Sequence, residues 1–197
     1  MVYFVRVQPP QPPPPVRHGS LLIGAAALFG GLGGWAALTA LGHLASAGPA
    51  YLNVTSDYDE GAHTIAAIHT DLVQYAVVSL AGLVLLAPLA FAVRRARPAA
   101  RIAAWTIGIT VTVALLITLV GGPDELVSPG GTENPATRAA LDNLLPTWYL
   151  DATSLLTAAQ LAAVVAFCVL LLRTSAADFY RSPRPQGPDG LWRQLAS

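Results

Sequence analysis

Four apolar stretches, each near or above the roughly 20 residues a helix needs to cross the hydrocarbon core of a bilayer, dominate the sequence: 21–47, 72–93, 102–120 and 152–172. Backbone amides in lipid have no water to bond, so each must pair within its own segment, and four spans cannot close a barrel. The chain therefore reads as an all-α integral membrane protein with four transmembrane helices. A charged fraction of 11 %, against about a quarter in soluble domains, and a mean hydropathy of +0.53 point the same way.

Arginine placement orients the spans. Arg6, Arg17, Arg94, Arg95, Arg97, Arg101, Arg173, Arg181, Arg184 and Arg193 fall before span one, between spans two and three, or after span four, which leaves Arg138 alone in the other class of loop. Positive residues stay on the cytoplasmic side, so both termini and the middle connection are expected there. Most acids, among them Asp57, Asp59, Glu60, Asp71, Asp142 and Asp151, fall in or beside the outer loops. With short connections the expected architecture is an up-down-up-down bundle. Ala45-Ser46-Ala47 resembles a signal-peptidase site, but the preceding apolar run is longer than the about 7–15 residues of a signal core, so four spans are expected to remain.

The expected organisation is a Pro-rich cytoplasmic tail over 1–19, a transmembrane domain over 20–175 with outer loops 48–71 and 121–151, and a cytoplasmic C-terminal tail over 176–197. Gln8 to Pro15 should be extended polyproline II, read as a spacer ahead of the membrane rather than a docking peptide. Ala47-Gly48-Pro49 and Gly121-Gly122-Pro123 both look like helix terminators, and their similar placement hints at two tandem hairpins. Asn134 to Asp142 reads as a short surface helix. The basic residues are all arginine and none is lysine, the composition of a GC-rich, actinobacterial-like genome. The single cysteine, Cys168, excludes an intrachain disulfide and a thiolate cluster within one chain.

Three sets of residues need a reason to exist. In span one, Ala26, Gly30 and Gly34 recur every fourth residue. Small residues in that pattern let helices approach closely, and close packing is a main source of helix affinity in lipid; the seam serves either internal packing or a second chain. The second set lies at the outer face. Ser56 is expected to cap helix two, with Asp57, Asp59 and Glu60 in its first turn against the helix dipole, and Asp59, His63, Thr70 and Gln74 then fall near one face. His43, Asp59, Glu60, His63 and His69 are the candidate metal or proton site, because imidazole and carboxylate together suit zinc, copper, manganese or iron. His63 and His69 are too far apart around a helix to face one ion, so no cofactor is expected and a metal or haem ranks below helix capping and hydrogen bonding. Thirdly, Gln74, Thr157 and Gln160 place polar groups within or beside the spans, where each demands a partner.

No nucleotide loop, nucleophile elbow, zinc-protease helix or basic nucleic-acid patch occurs, and no charge lies deep in a span, which argues against a single-chain ion pump. The expected role is a non-catalytic accessory or scaffold subunit of a larger complex in the plasma membrane. Its partners are the bilayer and either other membrane subunits or further copies of itself, and nucleic acid is excluded. Two alternatives stand beside it: an oligomeric pore or small-solute carrier built on the polar spans, and an outer-face metal or haem protein.

Overall fold

The computed structural model describes residues 12–55, 57–95, 98–120 and 134–181. Those residues form six helices and no strand: α1 (Pro14–Val54), α2 (Tyr58–Ala92), α3 (Pro98–Val120), α4 (Pro135–Asp142), α5 (Tyr149–Leu172) and α6 (Thr174–Arg181). Helices α1, α2, α3 and α5 are each long and apolar enough to cross a membrane. The protein is thus a helical chain of multi-pass membrane type with apolar faces suited to lipid.

Helix α1 occupies the centre, packing along both α2 and α5, while α3 touches α2 and α5 more lightly. Helices α2 and α5 each run antiparallel to α1. A Cβ on Gly30 would approach the Leu83 backbone and one on Gly48 would meet Ile65, so α2 descends as α1 rises. Likewise Gly19 faces Phe167 whereas Gly30 faces Gln160, which sets α5 against α1.

Two of the spans overshoot. Helix α1 has 41 residues, about 60 Å at 1.5 Å per residue, roughly twice a hydrocarbon core of about 30 Å. Helix α2 has 35 residues and overshoots as well. Most of the expected outer loop 48–71 is therefore helix, with only 55–57 connecting the two. Pro49 lies inside α1 and does not end it. Proline forfeits one helical hydrogen bond, but the extended ends gain packing that outweighs the loss. Tyr51, Gly61 and Ile68 are buried between them, and a Cβ on Gly48 would sit 3.3 Å from Ile65 Cδ1. The matching Gly121-Gly122-Pro123 lies outside the described residues, as do most of the Pro-rich segment and the end of the C-terminal tail.

Local caps explain where the helices start. Pro13 is extended, with φ −62° and ψ 158°, and Pro14 and Pro15 open α1, where a missing N–H costs nothing; of the polyproline segment expected over Gln8 to Pro15, Pro14 and Pro15 are helical instead, and residues 8–11 lie outside the described residues. Asp57, not Ser56, caps α2: its side chain accepts from the backbone N–H groups of Asp59 and Glu60. Asn134 caps α4 in the same way through Ala136. Helix α4 is more than a surface helix, since Thr137 and Leu141 are buried and the Thr137 hydroxyl donates to Val54 O at 3.0 Å. It braces the end of α1.

The expected tail boundary at 175/176 cuts through α6. Arg173 breaks α5 with an extended ψ of 140°, and the eight residues of α6 turn back to bury Ala176, Phe179 and Tyr180. The Tyr180 hydroxyl donates to Val93 O at 2.6 Å, a terminal carbonyl of α2 with no helical N–H to receive. Burial pushes the Tyr180 phenol up to about 12, with the Arg101 guanidinium opposing the rise.

The buried apolar side chains divide into two clusters. One is built on Ile23, Leu86, Leu115, Val164 and Phe167, with α6 against it; the other is built on Leu44, Tyr51, Ile68, Leu72 and Leu144, where α4 docks. Between them lies a zone of glycines and polar side chains.

Candidate functional site

That zone is assembled from three regular patterns. Helix α2 contributes Tyr75, Ser79 and Gly82, and α5 contributes Thr153, Thr157 and Gln160. Both triplets have the i, i+4, i+7 spacing that keeps side chains on one helix face. Helix α1 presents Gly30 and Gly33 between them. Each glycine there is demanded by proximity: a Cβ on Gly30 would lie 2.9 Å from both the Ser79 backbone oxygen and Gln160 Nε2, and one on Gly33 would lie 2.9 Å from the Tyr75 hydroxyl. Gly82 closes the opposite side, its Cβ position 3.0 Å from Gln160 Nε2.

Ser79, Thr157 and Gln160 are 1 %, 4 % and 3 % exposed. The Tyr75 hydroxyl is 3.0 Å from Thr157 Oγ1 and 3.4 Å from Thr153 O, so α2 and α5 are tied together past the glycine face of α1. Thr153 spends its own hydroxyl on Tyr149 O at 2.8 Å. Gln160 Nε2 is buried with no hydrogen-bond partner. An unsatisfied buried donor costs about 1–3 kcal/mol, so among the described residues this amide is the least settled polar group in the interior.

The residues nominated by the sequence separate into buried and exposed sets. Ala26, Gly30 and Gly34 are all buried: Ala26 joins an apolar cluster, Gly30 meets Ser79 and Gln160, and Gly34 meets the Leu80 side chain. The seam is filled from within the chain. Thr157 and Gln160 lie together, but Gln74 is exposed and does not join them. Its neighbour Tyr75 does.

At the other set, His43, Asp59, Glu60, His63 and His69 are all exposed. His43 Nε2 lies 2.9 Å from Asn143 O, next to the end of α4, and the backbone N–H groups of Asp59 and Glu60 serve the Asp57 cap. Among the described residues no three His, Cys, Asp or Glu side chains come close enough together to hold a metal ion. His43 is a docking contact and the acids are helix-start residues.

Tyr75 and Ser79 were the missing members. Their signal was present: 75, 79 and 82 repeat the spacing of 153, 157 and 160, so two triplets of hydrogen-bonding or small residues match across two spans. A tyrosine beside a glutamine in an apolar run does not announce which of the two turns inward. Searches for this chain's relatives return no matching family model, no matching curated protein and no matching solved structure, so the chemistry of its own residues carries the functional reading.

Proposed function

We propose that the chain is a plasma-membrane protein with both termini and the α2–α3 connection in the cytoplasm, an up-down-up-down bundle, serving as a non-catalytic accessory or scaffold subunit of a larger membrane assembly. The distribution of arginines supports the orientation. The observation that supports the scaffold role most is the condition of α3: 22 % of its most apolar stretch is buried, against 44 % for α1. Ile102, Ile109, Val113 and Ile117 are exposed along it. A span so lightly engaged by its own chain offers a face to neighbouring membrane helices, while the interior glycines are already consumed. Native mass spectrometry of the tagged protein, extracted gently from its host membrane, tests the proposal. Co-migrating polypeptides in fixed ratio support it; a bare monomer or homo-oligomer overturns it.

One observation favours a second reading, an oligomeric pore or small-solute carrier: half-buried Tyr75 with buried Thr157 and Gln160 gives polar character to the middle of the bundle. Solute flux into vesicles reconstituted with purified protein measures this, and flux unchanged by Gln160→Leu counts against it. The outer-face metal or haem reading has no comparable support, its five residues being exposed and not gathered.

A further inference from the structure

We propose that α1 and α2 form a binding site for one anionic phospholipid at the arginine-bearing end of the bundle, with the lipid phosphate at Arg17 and Arg94 and an acyl chain along the helix pair beneath them. The proposal stands apart from any role in a larger assembly. The start of α1 meets the end of α2 there, and the start of α3 meets the end of α5. Arg17, Arg94, Arg95, Arg101, Arg173 and Arg181 belong to this end, against one described acid, Asp178. A single hydroxyl brings two of these arginines together. Ser20, 2 % exposed, donates from Oγ to Arg17 O at 2.8 Å and accepts from Arg94 Nε at 2.9 Å. That contact holds the Arg94 guanidinium over the first turns of α1, where Arg17 is exposed, and it uses only one of the five N–H donors that the group carries.

Beneath the two arginines the flank between the helices is open. Arg17, Gly24 and Gly31 recur every seventh residue, close to two full turns, so they share one side of α1. At Gly31 that side is closed by the Leu83 side chain, 3.4 Å from the Cβ position. At Gly24 nothing lies within 4 Å. On α2, Ala87 and Ala90 follow Leu83 on the face that leads to Arg94, so that wall is low as well. Leu21 and Phe91, within a turn of Gly24 and of Ala87, are 62 % and 71 % exposed and make the borders apolar. The strip from Ser20 to Gly31 is about 16 Å long at 1.5 Å per residue, close to half of a hydrocarbon core of about 30 Å. Guanidinium groups above an apolar strip one leaflet deep fit a phospholipid, whereas a free phosphate would use the arginines alone. Arginine forks suit phosphate oxygens, and the surplus of positive charge favours a headgroup of net negative charge over a zwitterionic one.

The test is native mass spectrometry of the full chain released from nanodiscs made of equal parts phosphatidylglycerol and phosphatidylcholine. The unaltered protein is expected to retain one phosphatidylglycerol in preference to phosphatidylcholine. Arg94→Gln lowers that occupancy several-fold. Gly24→Leu lowers it as well, because the new side chain fills the strip while every arginine stays, and its Cβ meets no neighbour that could disturb the fold. Arg173→Gln, which removes an exposed arginine at the end of α5, leaves it unchanged. Three results overturn the proposal. The unaltered protein could retain neither lipid or both equally. Gly24→Leu could retain as much phosphatidylglycerol as the unaltered protein, which would leave only an attraction of arginines for anions. Arg173→Gln could lower the occupancy as far as Arg94→Gln does, which would assign the effect to the net charge of the whole end.

Discussion

The Tyr75 hydroxyl lies 3.0 Å from Thr157 Oγ1, a bond between two helices that are separate neighbours of α1. Hydrophobic burial does not drive helices together in lipid, so packing and interhelical hydrogen bonds must. This bond joins α2 to α5 where the two apolar clusters give way to glycine and polar side chains.

Removing it should be measurable and modest. Tyr75→Phe and Thr157→Val are each expected to destabilise the bundle by about 0.5–1.5 kcal/mol. Reversible unfolding in mixed micelles, analysed as a double-mutant cycle, should find a coupling of about 0.6 kcal/mol. Additive effects of the two substitutions would mean that the hydroxyls do not act on one another.

The glycines of α1 should divide by what faces them. Gly30→Ala forces a methyl to within 2.9 Å of the Ser79 backbone oxygen, and overpacking of that kind costs about 1–3 kcal/mol. Gly24 and Gly42 have nothing within 4 Å of their Cβ positions, and alanine there should be neutral or slightly stabilising through its better helix propensity. Thermal unfolding midpoints in one detergent rank the three variants; a Gly24→Ala defect as large as that of Gly30→Ala would place an unrecognised partner on the outer face of α1.

High pH should release α6. The Tyr180 phenol, ordinarily at 10.0, is pushed up to about 12 by burial against α2. Between those values the docked form keeps a proton that the undocked form has lost, so the stabilisation is complete below pH 10 and declines as pH rises toward 12. Phenolate absorbance followed by pH titration should show a tyrosine titrating near pH 12 whose step Tyr180→Phe removes. Proteolytic cleavage between Arg173 and Arg181 should accelerate over the same interval. Cleavage independent of pH up to 12 would disprove the link.

The proposed orientation has a direct readout. In a Cys168→Ala background, Asp59→Cys should react with a membrane-impermeant maleimide on intact cells, and Arg181→Cys only after permeabilisation. Both positions are exposed. The reverse pattern would invert the bundle.

The four spans were legible in the sequence because the cost of bare amides in hydrocarbon leaves a 20-residue apolar run one conformation. Helix starts were nearly as legible: the acids after Asp57 and the asparagine before Pro135 act locally, within one turn of their own chain. Gly48-Pro49 misled, because a terminator acts against whatever packing its flanks can find, and Tyr51, Gly61 and Ile68 lie on distant parts of the chain. The expected tail after 175 went the same way once Phe179 and Tyr180 found the end of α2.

The sequence by itself determined that this is a four-span helical protein of lipid and that its small and polar residues lie on repeating faces, since length and periodicity are properties of a single helix. Tertiary structure alone decided which faces meet. It turned Tyr75 inward and left Gln74 exposed, enclosed Gly30 between Ser79 and Gln160, and kept the histidines apart, because inward and outward are defined only once a second helix is in place.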